Sequence, residues 1–364
     1  MSCILFVCFD SIRGHYASAL VHLHSGLKIL RDLNKISAAD EYIIAMSLAP
    51  AFTRLSIQAV LYIDTTADQK AFALEMTEFS ERQCQIPDTF STVEEARDAF
   101  SQTTNCLFRT FYMFDLDLPF RAHVDILPLH AKYSKQLANW NIAYEKFVQK
   151  NNSSLNSNEI RGAAMLKVQY SAVFIMSDSG IPNADDPRSM AEILNDRKVF
   201  MRYHNDFENI VKLSRSLISA SEADSQSGKP AFNFSADLGI VGPLYYCCIK
   251  CPDYTLRLAA IELLHRCPRR EGMWDSAALV QLIRGFWEIE ARHEALQDEI
   301  VDKNGKPVAL NDLLKLVLKD GMKWEWRWKV VAWAPRLAGP HYTWAGILED
   351  PTLVSVHEKD TNGP

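Results

Sequence analysis

An excess of positive charge is missing from this sequence. Its 39 Lys and Arg face 45 Asp and Glu, a net charge of −6. A free-standing nucleic-acid binder needs a basic surplus to neutralise phosphates, so no direct nucleic-acid binding is expected from the bulk of the chain. Long apolar runs are missing too. No segment reaches the roughly 18 uncharged apolar residues that a spanning helix needs. The apolar N-terminal run ends at Asp10 and has no basic region ahead of it, so neither a secretory signal nor a spanning helix is expected there. A soluble, intracellular protein with no membrane partner is the expectation.

A disulfide framework is also lacking. The eight cysteines are Cys3, Cys8, Cys84, Cys106, Cys247, Cys248, Cys251 and Cys267. Most sit in apolar, helix-like stretches such as CILFVCF and LYYCCIKC, as buried thiols of a reducing compartment do. Catalytic signatures are absent: there is no G-x-S-x-G elbow, no P-loop, no G-x-G-x-x-G after a strand and no H-E-x-x-H. Strands do not alternate with helices, which removes the usual nucleotide-binding scaffolds. Neither a repeat of 20–50 residues nor sustained heptads run through the chain.

What the chain does have is apolar content and helical periodicity. Hydrophobic residues make up 48% and charged residues 23%, enough for a true core and against disorder. Tyr16, Ala19, Leu20, Leu23, Leu27 and Leu30 follow the spacing of one helical face. Further helices are predicted at 37–63 with a break near Pro50, from the Ser91–Glu95 capping signal to Phe114, and at 120–150 with Leu137, Trp140, Ile142, Tyr144 and Phe147 facing inward. More follow at 157–176, 189–221, 236–249, 253–266 and 274–301. Loops are predicted at 177–190 and 221–230 by composition. Near the end, Trp324, Trp326 and Trp328 alternate within KWEWRWKVVAW, the period of a strand. The fold class is therefore mainly α, a helical-hairpin array or bundle with a short β-containing C-terminal tail.

Several clusters invite a chemical reading. Cys247, Cys248 and Cys251, with Cys267 beyond, tempt a zinc assignment. A tetrahedral site needs four converging ligands, and no second C-x-x-C pair is present, so core thiols are the simpler reading. His22 and His24 point to different helix faces and join His15 as polar-face residues rather than ligands. Glu288, Glu290 and His293 lie in a heavily charged run, the pattern of a solvated face. The tryptophans at 324–333, interleaved with Lys323, Arg327 and Lys329, suit either an aromatic binding surface or a strand face buried against the helices. His265, Arg266, Arg269 and Arg270 make a small basic group at a helix end, where cations suit the helix dipole. No catalytic, DNA-binding or metal residue and no cofactor emerges.

Two stretches carry a resemblance. Residues 3–30, CILFVCFDSIRGHYASALVHLHSGLKIL, read as a helical hairpin with Gly14 at the C-cap of the first helix. Residues 257–276, RLAAIELLHRCPRREGMWDS, read as an amphipathic helix stopped by Pro268, a turn at Gly272, an anchoring Trp274 and a cap at Asp275 or Ser276. Together they resemble the fungal-specific transcription factor domain, the regulatory region that follows binuclear zinc-cluster fingers. Weaker likeness lies in 88–100 and 242–257. The matching positions are Arg13, Gly14, His22, Gly26, Pro268, Arg269, Arg270, Glu271, Gly272 and Trp274, all structural. The family's six-cysteine finger is absent, and Met1 falls where the family is already inside its helices.

The resemblance implies an N-terminally incomplete regulatory domain over 1–300 and a variable tail over 301–364. It implies a nuclear, and also cytoplasmic, transcription regulator-like protein that is not an enzyme. Its partners would be other transcription factors, co-regulators or a small-molecule effector. The alternative is a finger-less relative recruited as a small-molecule enzyme or ligand-binding protein in a fungal biosynthetic cluster. Tyr245, Tyr246 and Cys247 would be the place to look.

Overall fold

The computed structural model describes residues 2–33, 48–60, 85–179, 186–229 and 234–295. Its helices are α1 (Ser2–Arg13), α2 (Tyr16–Leu33), α3 (Ala49–Val60), α4 (Val93–Met113), α5 (Leu127–Asn151), α6 (Ser157–Ser179), α7 (Met190–Asn195), α8 (His204–Gln226), α9 (Val241–Lys250), α10 (Tyr254–Arg266) and α11 (Ser276–Ala295). Short 3-10 turns cover Phe120–Ala122 and Arg197–Tyr203. The mainly α fold expected from the sequence is what the structure shows. Among the described residues, no helix is long and apolar enough to cross a membrane.

The N-terminal hairpin follows from its sequence. Gly14 takes φ of +77°, and the N–H of His15 reaches back to the Asp10 carbonyl at 2.8 Å, closing α1. Tyr16, Ala19, Leu23, Leu27 and Leu30 of α2 are all buried. On the other side of the hairpin, Leu5, Phe9 and Ile12 remain more than half exposed. Their i, i+4, i+7 spacing puts them on one apolar face.

The capping signal near 91 holds, one residue along. Thr92, not Ser91, is the N-cap, and its hydroxyl accepts the N–H of Glu95 at 3.1 Å. Glu95 in turn accepts the N–H of Ser91 at 2.7 Å. The core centres on Trp140, which is fully buried. Its indole N–H donates to the Ala96 carbonyl at 2.7 Å, and its ring stacks on Tyr144 at 4.9 Å and Tyr170 at 5.7 Å. Tyr144 donates to the Ala163 carbonyl at 2.7 Å. One aromatic group thus ties α4, α5 and α6 together.

Some boundaries differ from expectation. The helix predicted over 189–221 is three pieces, because the Ser189 capping box starts α7 and Asp196 starts a new 3-10 turn. The loop predicted at 221–230 is helical as far as Gln226, where Asp224 pairs with Arg161 of α6 and with Lys229. Ile142, expected inside, is 54% exposed; the apolar face of α5 runs through Leu137, Trp140, Tyr144 and Phe147 instead. Among the described residues, the strands form a three-stranded sheet of β1 (Phe234–Ser235), β2 (Arg270–Glu271) and β3 (Trp274–Asp275). β1 and β2 are parallel, and β2 and β3 antiparallel. The tryptophan-rich stretch at 324–333 lies outside the described residues, as do Cys84 and the side chains of Glu288, Glu290 and His293.

Candidate functional site

The segment Pro268–Ser276 links most of the molecule's elements. Pro268 follows the end of α10 and lets the chain turn into β2. Glu271 is completely buried. Its carboxylate accepts the N–H groups of Gly239 at 2.8 Å, Ile240 at 3.1 Å and Val241 at 2.9 Å. These are donors at the start of α9, which no helical carbonyl can satisfy, and the helix dipole favours an anion there. Arg269 Nε lies 3.2 Å from Glu271 Oε1. Burial pushes the Glu271 carboxyl above its ordinary pKa, while Arg269 and the three N–H groups pull it back. Both oxygens face donors, so the carboxylate is the form this site is built around.

Arg270 points the other way. It donates to the carbonyls of Ser11 at 2.9 Å and Ile12 at 2.7 Å and pairs with Asp275 at 2.6 Å. The final carbonyls of α1, which lack helical partners, thereby gain a cation. Gly272 has φ of +57°, and a Cβ there would overlap the buried carboxamide of Gln58 on α3. Trp274 packs on Tyr245 at 5.6 Å. Asp275 caps α11 by accepting the N–H groups of Ala277 at 2.9 Å and Ala278 at 3.1 Å.

Among the remaining signature positions, Gly26 admits the Phe52 ring of α3, which a Cβ would strike. Arg13 lies over the Phe9 ring at 5.3 Å. His22 is 3.6 Å from Asp10 and stacked on Phe6. The two sequence stretches, some 250 residues apart, therefore meet through Arg270.

The other clusters are committed elsewhere. Cys247, Cys248 and Cys251 are fully buried in and after α9. Burial drives the Cys248 thiol well up. Among the described residues, no group of three or more His, Cys, Asp or Glu is placed to hold a metal ion. Within the basic group, Arg266 pairs with Glu222, Arg269 with Glu271 and Arg270 with Asp275.

Next to the Pro268–Ser276 segment lies a cavity of about 770 Å³. Sequence reasoning did not find it as a whole, although it placed Tyr245 and Tyr246 in a candidate pocket, because its walls come from α3, α4, α6, α9 and the sheet. Phe100, Phe108, Tyr245, Tyr246 and Trp274 supply rings, and Met165 and Met176 supply adaptable apolar surface. Burial pushes both Tyr245 and Tyr246 phenols far above their ordinary value. Arg54, at one wall, is held by Asp98 at 2.8 Å and Asp237 at 2.7 Å.

No family model matches the chain. No solved structure matches it either. Among curated proteins, the chain is similar to the aspercryptin biosynthesis cluster-specific transcription regulator atnN of Emericella nidulans. The two are 23% identical over 359 residues, covering 80% of this chain and 57% of that protein. This distant relative is a transcription regulator. The chain spans 57% of its length.

Proposed function

We propose that this chain is the helical regulatory and interaction region of a fungal transcription regulator of zinc-cluster type, acting in the nucleus without a zinc-cluster finger among its 364 residues. The observation that carries this reading is the similarity to a cluster-specific transcription regulator across 80% of the chain. The acidic balance supports it, since contact with DNA would fall to a partner. The exposed Leu5, Phe9 and Ile12 face supports it as well, because contiguous apolar surface is characteristic of protein interfaces. The chain would impose or relieve inhibition on a co-regulator or a related zinc-cluster factor. The test fuses the whole chain to an unrelated DNA-binding domain and reads a reporter in a fungal host. A reproducible change over that domain alone supports the proposal. No change, together with no capture of a zinc-cluster factor by the purified chain, overturns it.

The second reading, a ligand-binding protein or enzyme in a biosynthetic cluster, is favoured by the cavity. Its enzymatic form has less support. The described lining residues include no His or Cys, burial keeps Tyr245 and Tyr246 as neutral phenols, and Asp237 and Glu159 are held by Arg54 and by the N–H of Asn156. General acid–base work needs a group titrating near the working pH.

A further inference from the structure

We infer that the cavity between α4, α6 and α9 binds an apolar, ring-bearing small molecule that carries one anionic group. The anion sits at Arg97 and the body extends past Phe100 towards Thr104 and Phe108. This rests on the ligand-binding reading given above and names its ligand class. Binding is read on the purified chain and transcription on a reporter, so either reading can fail alone.

The volume of about 770 Å³ falls within the roughly 300–1,000 Å³ of small-molecule sites. Protein interiors otherwise pack with few voids larger than a water molecule, so a space this size stands apart from ordinary packing. The walls are mainly apolar and aromatic, with polar groups at a few points, which is the usual make-up of a ligand pocket.

The polar points have an order along α4. Arg97, Phe100, Thr104 and Phe108 follow helical spacing, and all line the cavity. Arg97 is 38% exposed at its side chain and Thr104 is 3% exposed, so the helix runs from mouth to floor. Seven residues separate them, about 10 Å along the axis.

At the floor, the Thr104 hydroxyl has no hydrogen-bond partner. Its neighbours Ser101, Thr103 and Thr110 all turn their hydroxyls back onto helix carbonyls, at 2.9, 2.9 and 2.7 Å. A buried hydroxyl left unbonded is unfavourable.

At the mouth, the other cations are engaged. Arg54 holds two carboxylates, Arg161 holds Asp224, Lys250 donates to the Leu194 carbonyl and Arg269 holds Glu271. Arg97 has only long ion contacts, 3.6 Å to Asp98 and 3.9 Å to Asp237, and its Nε makes no hydrogen bond. Three carboxylates line the cavity: Asp237 and Glu159 are occupied, by Arg54 and by the N–H of Asn156, and Glu94 is exposed to solvent one turn before Arg97. An incoming carboxylate or sulfonate can therefore take a charge-assisted bond from Arg97.

Gly242 provides the test. It lines the cavity, and a Cβ built on it meets nothing within 4 Å. The probes are 1-anilinonaphthalene-8-sulfonate and N-phenyl-1-naphthylamine, which share one ring body with and without the anion. Fluorescence titration of the whole chain should show one saturable site, with the sulfonate form binding about tenfold tighter. Arg97→Gln should erase that preference and leave the neutral probe unchanged. Gly242→Phe should block both probes while melting cooperatively at or above the parent temperature. If Gly242→Phe does not melt cooperatively, Gly242→Leu supplies the same reading with a smaller side chain. The proposal is overturned if the dyes bind at several weak sites insensitive to Gly242 substitution. It is equally overturned if Phe9→Lys, on the exposed hairpin face, removes the signal, or if Arg97→Gln affects both probes alike.

Discussion

The carboxylate of Glu271 occupies the space that a Cβ on Gly239 would fill, and it accepts the N–H of that glycine at 2.8 Å. A side chain from one strand thus caps a helix 30 residues earlier, and a glycine is required at the approach. The neighbouring Arg269 makes the cap a buried ion pair as well.

Glu271→Ala should cost about 3–5 kcal/mol, because it strands a half-buried guanidinium and three helix-start donors. Gly239→Ala should act in the same direction by pushing the carboxylate out of place. Urea unfolding followed by helical circular dichroism checks both. A loss below about 1 kcal/mol for Glu271→Ala would mean that water replaces the carboxylate and that the cap is dispensable.

Arg270→Ala should act locally. It removes the cation from the Ser11 and Ile12 carbonyls, a direct polar tie between the N-terminal hairpin and the Pro268–Ser276 segment. Hydrogen exchange should speed up across residues 2–33 more than across 93–113. Uniform acceleration would show that the hairpin and the body unfold as one unit.

His130 should make the protein acid-sensitive. Its ring is buried between Thr110 Oγ1 at 3.1 Å and the Ser177 carbonyl at 3.0 Å, among the rings of Phe111, Phe114 and Phe120. Desolvation lowers its pKa below the ordinary 6.5. The unfolded chain then takes up a proton first as pH falls, so stability is full above about 6.5 and declines below it. His130→Gln should flatten the melting temperature between pH 7 and pH 5 relative to the parent. An unchanged slope would assign the acid loss to other groups.

Two glycines should respond oppositely to alanine. Gly242→Ala meets open space at the start of α9 and should stabilise by up to about 1 kcal/mol through helix propensity. Gly272→Ala meets Gln58 and a positive φ, and should destabilise by more than about 1 kcal/mol. Thermal melts of the pair give the comparison directly.

Much of the fold was legible in the sequence. The periodic face from Tyr16 to Leu30, the capping signal at 91–95, the stop at Pro268 and the cap at Asp275 each act over a few residues. Local sterics and hydrogen bonding decide them, so they can be read from neighbours alone. Misreadings came where a distant partner intervened. The polar run from 221 stays helical to Gln226, with Asp224 finding Arg161 from another helix, and Ile142 faces outward because Trp140 and Tyr144 claim the inner side of α5.

By itself, then, the sequence determined most of the helices, the caps near 91 and at Asp275 and the acidic, mainly α character of the chain, since these depend on short-range periodicity and composition. Only the tertiary structure decided that Arg270 reaches α1 and that Glu271 caps α9. It alone brought Arg97, Thr104 and Gly242 around one cavity. Those contacts join residues tens to hundreds of positions apart, and the packing of helix against helix, not spacing along the chain, sets their distances.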